Sequence, residues 1–329
     1  MRFVKSPRRE TADRSIVTDE KIPYLYIAGA SFSGSTLLAF LLNAHPQMVS
    51  LSEAWGVLKH ERIEPIENYR CSCGERLVDC GFYRALERRV RQLGSSFDIE
   101  EWKTRFQLFD SFYAQLAATR PLPYAALHRF RSSLVSMLPG VEARRQEIAK
   151  RNVDFARATL ELSGSQLFVD AQKDAARVGF LAQIEQLDLR VIHLVRDARA
   201  GAASYMKHNP RNDAPRAARR WRSANRTASY MARELAPERW MLLRYDELCL
   251  DPQGTVDRIA EFCGVERAAV PQDFFGVEHH IVGNSMRLGG STEIRPDESW
   301  RQRLSDQQLE QVRAVAGADN RAFGFDWPT

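Results

Sequence analysis

The sequence contains no apolar run long enough to cross a bilayer as a helix, so no integral membrane segment is expected. Its first residues, Met1 to Glu20, are charged and have no hydrophobic signal core; residues 1–20 read as a flexible tail. Only five cysteines occur in 329 residues, unevenly spread. That is too few for a secreted disulfide scaffold, and the cytoplasm is the expected compartment. Internal repeats and low-complexity linkers are missing. So is any His-x-x-His pattern of the kind that holds a metal, and no metal is expected at the active centre. Charge of neither sign dominates: 47 Lys+Arg against 42 Asp+Glu leave a net +5. A mild positive excess suits an anionic ligand without identifying it, since nucleic acid, phosphate and sulfated sugar would all fit. The ordinary share of hydrophobic residues, 44%, describes a globular chain able to bury a sizeable core.

What is present is an alternation of short apolar strands with helices, the pattern of an α/β fold with a parallel sheet flanked by helices. Strands are predicted over Tyr24–Ala28, Met48–Leu51, Gln166–Asp170, Arg190–Val195 and Trp240–Leu243. Helices are predicted over Thr36–Asn43, stopped before Pro46, and over Ala200–Lys207. Strand signals vanish between Trp55 and Ser163, so residues 56–163 read as a helical insertion in a single α/β domain spanning 21–329. Within it, Asp98 and Glu101 resemble a helix-opening pair. Trp102, Phe106, Phe109, Tyr113 and Leu116 then fall on one helical face, best read as core packing. A later helix is predicted over Ala143–Leu162, ending at Gly164.

The strongest local signal is Gly29-Ala30-Ser31-Phe32-Ser33-Gly34-Ser35-Thr36, between the first strand and the first helix. Backbone N–H groups in such a loop converge on an anion, and the helix N-terminus adds a favourable dipole. The spacing is that of a P-loop-like phosphate loop with one difference: Ser35 stands where a nucleotide triphosphatase has its lysine. A ligand with a single phosphate and a terminal sulfate needs neither that lysine nor a magnesium clamp. A Gly/Ser-rich turn without a ligand fits the same residues. A second candidate anion site is Arg196, at the carboxyl end of the predicted strand Arg190–Val195, with Ser204 eight residues later on the next helix. A surface ion pair, Arg196 with Asp197 or Arg199, is the plain alternative.

Together these segments resemble the PAPS-dependent sulfotransferase superfamily (PAPS being 3′-phosphoadenosine 5′-phosphosulfate). The stretch from Gly34-Ser35-Thr36-Leu37-Leu38 through Asn43-Ala44-His45-Pro46 to Glu53 is particularly similar to tyrosylprotein and bacterial carbohydrate-type sulfotransferases. The resemblance implies that Ser33, Gly34, Ser35 and Thr36 hold the 5′-phosphosulfate and that Arg196 and Ser204 hold the 3′-phosphate. It implies that Glu53, nineteen residues after Gly34, is the base. Val169-Asp170-Ala171-Gln172-Lys173 resembles the segment whose lysine contacts the transferring sulfate. Leu243-Arg244-Tyr245-Asp246-Glu247-Leu248 with Asp251-Pro252 resembles an element whose tyrosine, here Tyr245, lies near the nucleotide. His280 through Arg287, with Asn284 and Arg287, resembles the loop that closes over the cofactor. The relatives usually carry Lys or Arg two residues before the loop glycine; this chain has Phe32, and Lys173 is the candidate to supply the missing charge.

The expected activity is therefore sulfuryl transfer from PAPS as co-substrate to a hydroxyl of a carbohydrate or small-molecule acceptor. Neither a nucleic-acid partner nor a metal requirement is expected, and the oligomeric state is open. A P-loop-type small-molecule kinase and a catalytically weak nucleotide-binding module are the rival readings; the missing lysine counts against the first. The basic run from Arg211 to Arg233 reads as a solvated helix face. Cys71, Cys73 and Cys80 have three readings: zinc ligands with a fourth such as His60, a disulfide, or reduced packing residues close together outside the chemistry. His279 and His280 read as ligand-loop or surface residues rather than metal ligands.

Overall fold

The computed structural model describes residues 20–55, 66–119, 125–209, 211–283, 285–289 and 292–327. Most of the predicted tail, His60 and Asn284 lie outside the described residues. Five strands, β1 (Ile22–Gly29), β2 (Met48–Ser52), β3 (Leu167–Lys173), β4 (Leu187–Val195) and β5 (Trp240–Arg244), form one sheet in the order β2-β3-β1-β4-β5. Every neighbouring pair runs parallel. The central strand β1 is buried on both faces because helices cover both. Along β1, Tyr24 and Tyr26 pack to one side with Phe155, Phe168 and Val191. Leu25 and Ile27 pack to the other with Leu38, Leu41, Ile192 and Ile259.

The helices are α1 (Ser35–Ala44), α2 (Gly81–Gln92), α3 (Phe112–Thr119), α4 (Ala125–Ser136), α5 (Val141–Ser163), α6 (Ala176–Leu181) and α7 (Ala198–His208). They continue with α8 (Ala214–Ala232), α9 (Tyr245–Leu250), α10 (Pro252–Cys263), α11 (Trp300–Arg303) and α12 (Asp306–Ala322). α5 ends as predicted: Gly164 takes φ 64° and its N–H bonds the carbonyl of Leu160. In α8, Ala214, Ala217, Ala218, Ala228, Trp221 and Asn225 face inward. Its arginines lie mostly on the outer face, where Arg226 reaches Asp319 of α12. Among the described residues, no helix is long and apolar enough to cross a membrane.

One predicted helix is absent. Residues 101–111 form no helix, and α3 begins only at Phe112. Trp102 is buried as expected, but Tyr113 is 81% exposed. The reason lies in where the backbone groups go. Arg151 donates to the carbonyl of Lys103, and Asn152 and Arg177 to that of Thr104. The Gln115 side chain accepts from the N–H groups of Leu108 and Phe109 and donates to the carbonyl of Phe106. Side chains from α5, α6 and α3 thus replace the bonds a helix would have made internally. Asp98 makes a local turn instead of a cap, accepting from the N–H of Glu100.

The same arginine ties this segment to the sheet. Arg177 and Asp170 are fully buried and paired at 3.2 Å, with Tyr24 donating to Asp170 at 2.8 Å and Arg177 donating to Asn152 at 2.6 Å. Burial lowers the proton affinity of Arg177, but Asp170 and the neighbouring Tyr24 and Tyr26 more than offset this and hold it above the ordinary value. Burial, reinforced by Asp170, in turn pushes the Tyr24 phenol well above its usual range.

Candidate active site

Strain collects at the carboxyl ends of the strands. Four non-glycine residues have positive φ among those described, and three of them stand there: Phe32 (65°), Ser52 (66°) and Lys173 (74°). Each such residue costs about 1–3 kcal/mol and persists only where its surroundings enforce it. Two register irregularities accompany them, one between Tyr26 and Ala28 against β3, the other between Ser50 and Ser52 against β3. Bulges at strand ends re-aim side chains, and here they turn the last residues of β1, β2 and β3 toward one crevice.

The loop after β1 is held by contact on two sides. A Cβ on Gly29 would lie 2.4 Å from the carbonyl oxygen of Leu194 in β4, and one on Gly34 would lie 2.3 Å from the Tyr245 ring. Only glycine lets the loop come this close to both. Phe32 turns its ring outward, stacked on His208 at 4.6 Å and edge-on to Tyr205 at 5.0 Å, both on α7. Its left-handed backbone presents its carbonyl to Arg196, which donates to it at 3.0 Å. Ser33, beside it, is 2% exposed, and its hydroxyl has no hydrogen-bond partner among the described residues. Ser35 and Thr36 are buried in the first turn of α1.

Arg196 follows β4 directly, where the neighbouring β1 loop and the start of α7 meet it. The chain leaves β1 toward β2 on one side, and β4 lies on the other; crevices at such switch points are the usual ligand sites of open α/β sheets. The guanidinium lies over the Tyr245 ring at 4.7 Å and pairs with Asp297 at 2.8 Å. Its Nε is buried without a partner. Burial pushes the Tyr245 phenol up, which keeps it neutral. Partial burial opposes ionisation of Asp297, yet the bonds from Ser299 and from Arg196 hold its carboxyl down to about 2. Ser204, two turns into α7, is buried on the same helix face as Ala200 and Ala203. Of the surface pairings considered from sequence, Arg196 with Asp197 does not form; Asp197 caps α7 and pairs with Arg199, the other residue named there.

Glu53 and Lys173 meet across β2 and β3. The Lys173 ammonium lies 2.5 Å from the Glu53 carboxylate, and each side chain is 18% exposed. Strand β3 runs three residues beyond the predicted end at Asp170, so Lys173 is its last residue. The backbone after Glu53 is pinned by the same strand: the N–H of Ala54 reaches Asp170 at 3.4 Å, and that of Trp55 reaches Gln172 at 3.2 Å. Gly283 roofs the pair, since a Cβ there would lie 3.2 Å from the Glu53 carboxyl carbon. The N–H of Val282 bonds the carbonyl of Leu51, and Tyr69 holds Gly283 through both of its backbone polar groups. Arg287 is turned into this roof, donating to the carbonyls of Arg70 and Gly283 and lying over the Tyr69 ring at 4.0 Å.

The structure thus brings most of the predicted residues into two groups at the carboxyl ends of the strands: the loop with Arg196 and Tyr245, and Glu53 with Lys173. Sequence reasoning missed Asp297 and Tyr69, and placed Gly283 in the closing loop without singling it out. Asp297 lies 101 residues from Arg196 with no local pattern to link them. Residues 23–269 match the sulfotransferase family profile. No curated protein matches the sequence. Among solved structures, the sulfotransferase domain from the curacin biosynthetic pathway shares 16% identity, with TM-score 0.51, covering 95% of this chain and all of its own. The sulfotransferase domain of the Synechococcus PCC 7002 olefin synthase also shares 16% identity, with TM-score 0.44, covering 97% of this chain and 100% of its own. A sulfotransferase from Mycobacterium avium shares 14%, with TM-score 0.46, over 94% of this chain and 78% of its own.

Proposed function

The chain belongs to the sulfotransferase family, and from that premise we propose that it transfers the sulfuryl group of PAPS to a hydroxyl of a carbohydrate or small-molecule acceptor. One observation carries the choice of donor. The hydroxyl of Ser33 and the Nε of Arg196 are both buried and unpartnered, on either side of the Phe32 carbonyl that Arg196 binds. Buried donors without partners cost about 1–3 kcal/mol each, and a bound polyanion would satisfy both. In this reading Ser33, Gly34, Ser35 and Thr36 cradle the 5′-phosphosulfate, while Arg196 with Ser204 binds the 3′-phosphate. Tyr245 supports the nucleotide by packing on Gly34 and Arg196. Asp297 occupies Arg196 in the structure and is displaced when the phosphate arrives.

Glu53 takes the proton of the acceptor hydroxyl. The acceptor oxygen forms its bond to sulfur as the bond from sulfur to the bridging oxygen breaks, and 3′,5′-adenosine bisphosphate leaves. Lys173 stabilises the charge that grows on the sulfuryl and bridging oxygens. No catalytic metal enters this scheme. Segment 56–163 shapes the acceptor side, with Tyr69 and Gly283 walling the space beside Glu53. No disulfide joins the five cysteines; a cytoplasmic setting is part of this reading.

Calorimetry tests the donor site. The bisphosphate is expected to bind in the micromolar range without magnesium, and ATP much more weakly. Arg196→Ala should cost about 2–3 kcal/mol of bisphosphate binding, the scale of charged hydrogen bonds. Equal affinity for ATP, or an Arg196→Ala variant that binds normally, contradicts the assignment.

A further inference from the structure

Three of the five cysteines gather away from the crevice around a histidine that sequence order places some two hundred residues away. Cys71 and Cys80 are fully buried, Cys73 is half-buried, and His280 joins them from the loop that roofs Glu53. The donor atoms of all four lie within 4.8 Å of one another. Sγ of Cys73 and Cys80 are 3.7 Å apart, and Nδ1 of His280 stands 3.7 Å from Cys71 Sγ and 3.4 Å from Cys80 Sγ. A tetrahedral zinc bonded to sulfur at about 2.3 Å and to nitrogen at about 2.05 Å sets S···S edges of about 3.8 Å and S···N edges of about 3.6 Å. These three edges match those values, and the others, all within 4.8 Å, need to contract by no more than about 1.2 Å. A disulfide would require about 2.05 Å between sulfurs, and it would leave the third thiol unused.

The surroundings fit the same reading. The ring of His280 stacks on Phe82 at 4.4 Å, and its Nε2 lies 3.2 Å from a Glu278 carboxylate oxygen. A carboxylate on the far nitrogen fixes the tautomer that leaves Nδ1 free to bind metal. Gly74, with φ 94°, closes a turn in which its N–H bonds the carbonyl of Cys71, so both Cys71 and Cys73 face inward. Ser72 and Ile281 exchange two hydrogen bonds, and Tyr83 donates to the carbonyl of His280. His60, the fourth ligand considered from the sequence, is not needed to complete the set.

We infer that Cys71, Cys73, Cys80 and His280 bind one structural zinc ion. With four protein ligands the site is closed, so it holds structure and leaves no position for substrate. It fastens the Cys71–Cys80 segment to His280, and through Val282 and Gly283 it fixes the roof above Glu53.

The full-length chain, purified without chelator, should carry about one zinc per molecule by elemental analysis. Cobalt exchanged into it should give the intense visible bands and thiolate charge-transfer absorption of a tetrahedral thiolate site. Cys73→Ser and His280→Ala should each lose the metal. Glu278→Gln, outside the ligand set, should weaken zinc affinity by about 10–100-fold in competition with a chromogenic chelator. Should the ligand variants fail to fold, the wild-type metal count and cobalt spectrum still decide. A folded wild-type chain with no metal, unchanged by added zinc, overturns the inference, as does a Cys73–Cys80 disulfide found by peptide mass analysis. These readouts are independent of sulfuryl transfer.

Discussion

Glu53→Gln is expected to lower turnover by about 10²–10⁴-fold while bisphosphate binding stays near the wild-type value. The amide keeps the shape of the side chain and loses the ability to take a proton. The structure gives reasons to expect a large effect. Ser52 is forced into a left-handed conformation immediately before Glu53, and the N–H groups immediately after it are held by Asp170 and Gln172. Leu51 is tied to Val282 from above. A carboxylate oriented on every side is costly to build, and a surface glutamate needs none of this. Steady-state kinetics beside a bisphosphate titration separate the two roles. Near-normal turnover in Glu53→Gln would return the residue to a purely structural part.

Lys173→Ala should lower turnover more than it weakens product binding, by about 10²–10³-fold, the scale seen when one donor to a developing anion is removed. Phe32 cannot supply charge to the leaving oxygen, because its ring lies against His208 and Tyr205 of α7. Lys173 ends the strand beside β1 and points at Glu53 from within the same crevice. Lys173→Arg should rescue only in part, since a planar guanidinium does not place charge as a compact ammonium does. The two residues touch, so their effects should not add: the double variant is expected to fall less far than the product of the single losses. Full turnover in Lys173→Ala would move the missing charge elsewhere. Arg287 is a poor substitute, because its guanidinium is committed to the carbonyls of Arg70 and Gly283.

The strands and the phosphate loop were legible because both are local. The run Val191–Val195 is buried on both faces, and the loop's glycines sit where the chain must pass close to Leu194 and Tyr245. The spacing of Glu53 and Arg196 could be read by resemblance, but their partners could not. Asp297 and Tyr69 reach the site from distant segments, and nothing in their own sequence marks them. The failure at 101–111 has the same origin: an aromatic stripe with helical spacing lost to side chains of Arg151, Asn152, Arg177 and Gln115, which claimed its backbone groups. The cysteines were recognised as a cluster, yet their fourth member was sought at His60, because His280 approaches only in the folded chain.

The most direct test of the central claim is a transfer assay with radiolabelled PAPS and a panel of carbohydrate and small hydroxyl acceptors, scoring labelled product and released 3′,5′-adenosine bisphosphate together. The account predicts that label and bisphosphate appear in equal amounts with at least one acceptor, in the absence of added magnesium, and that both collapse in Glu53→Gln. Tight binding of the bisphosphate with no label reaching any acceptor would contradict it, and would make this a binding protein in which Phe32 has replaced the charge that transfer needs.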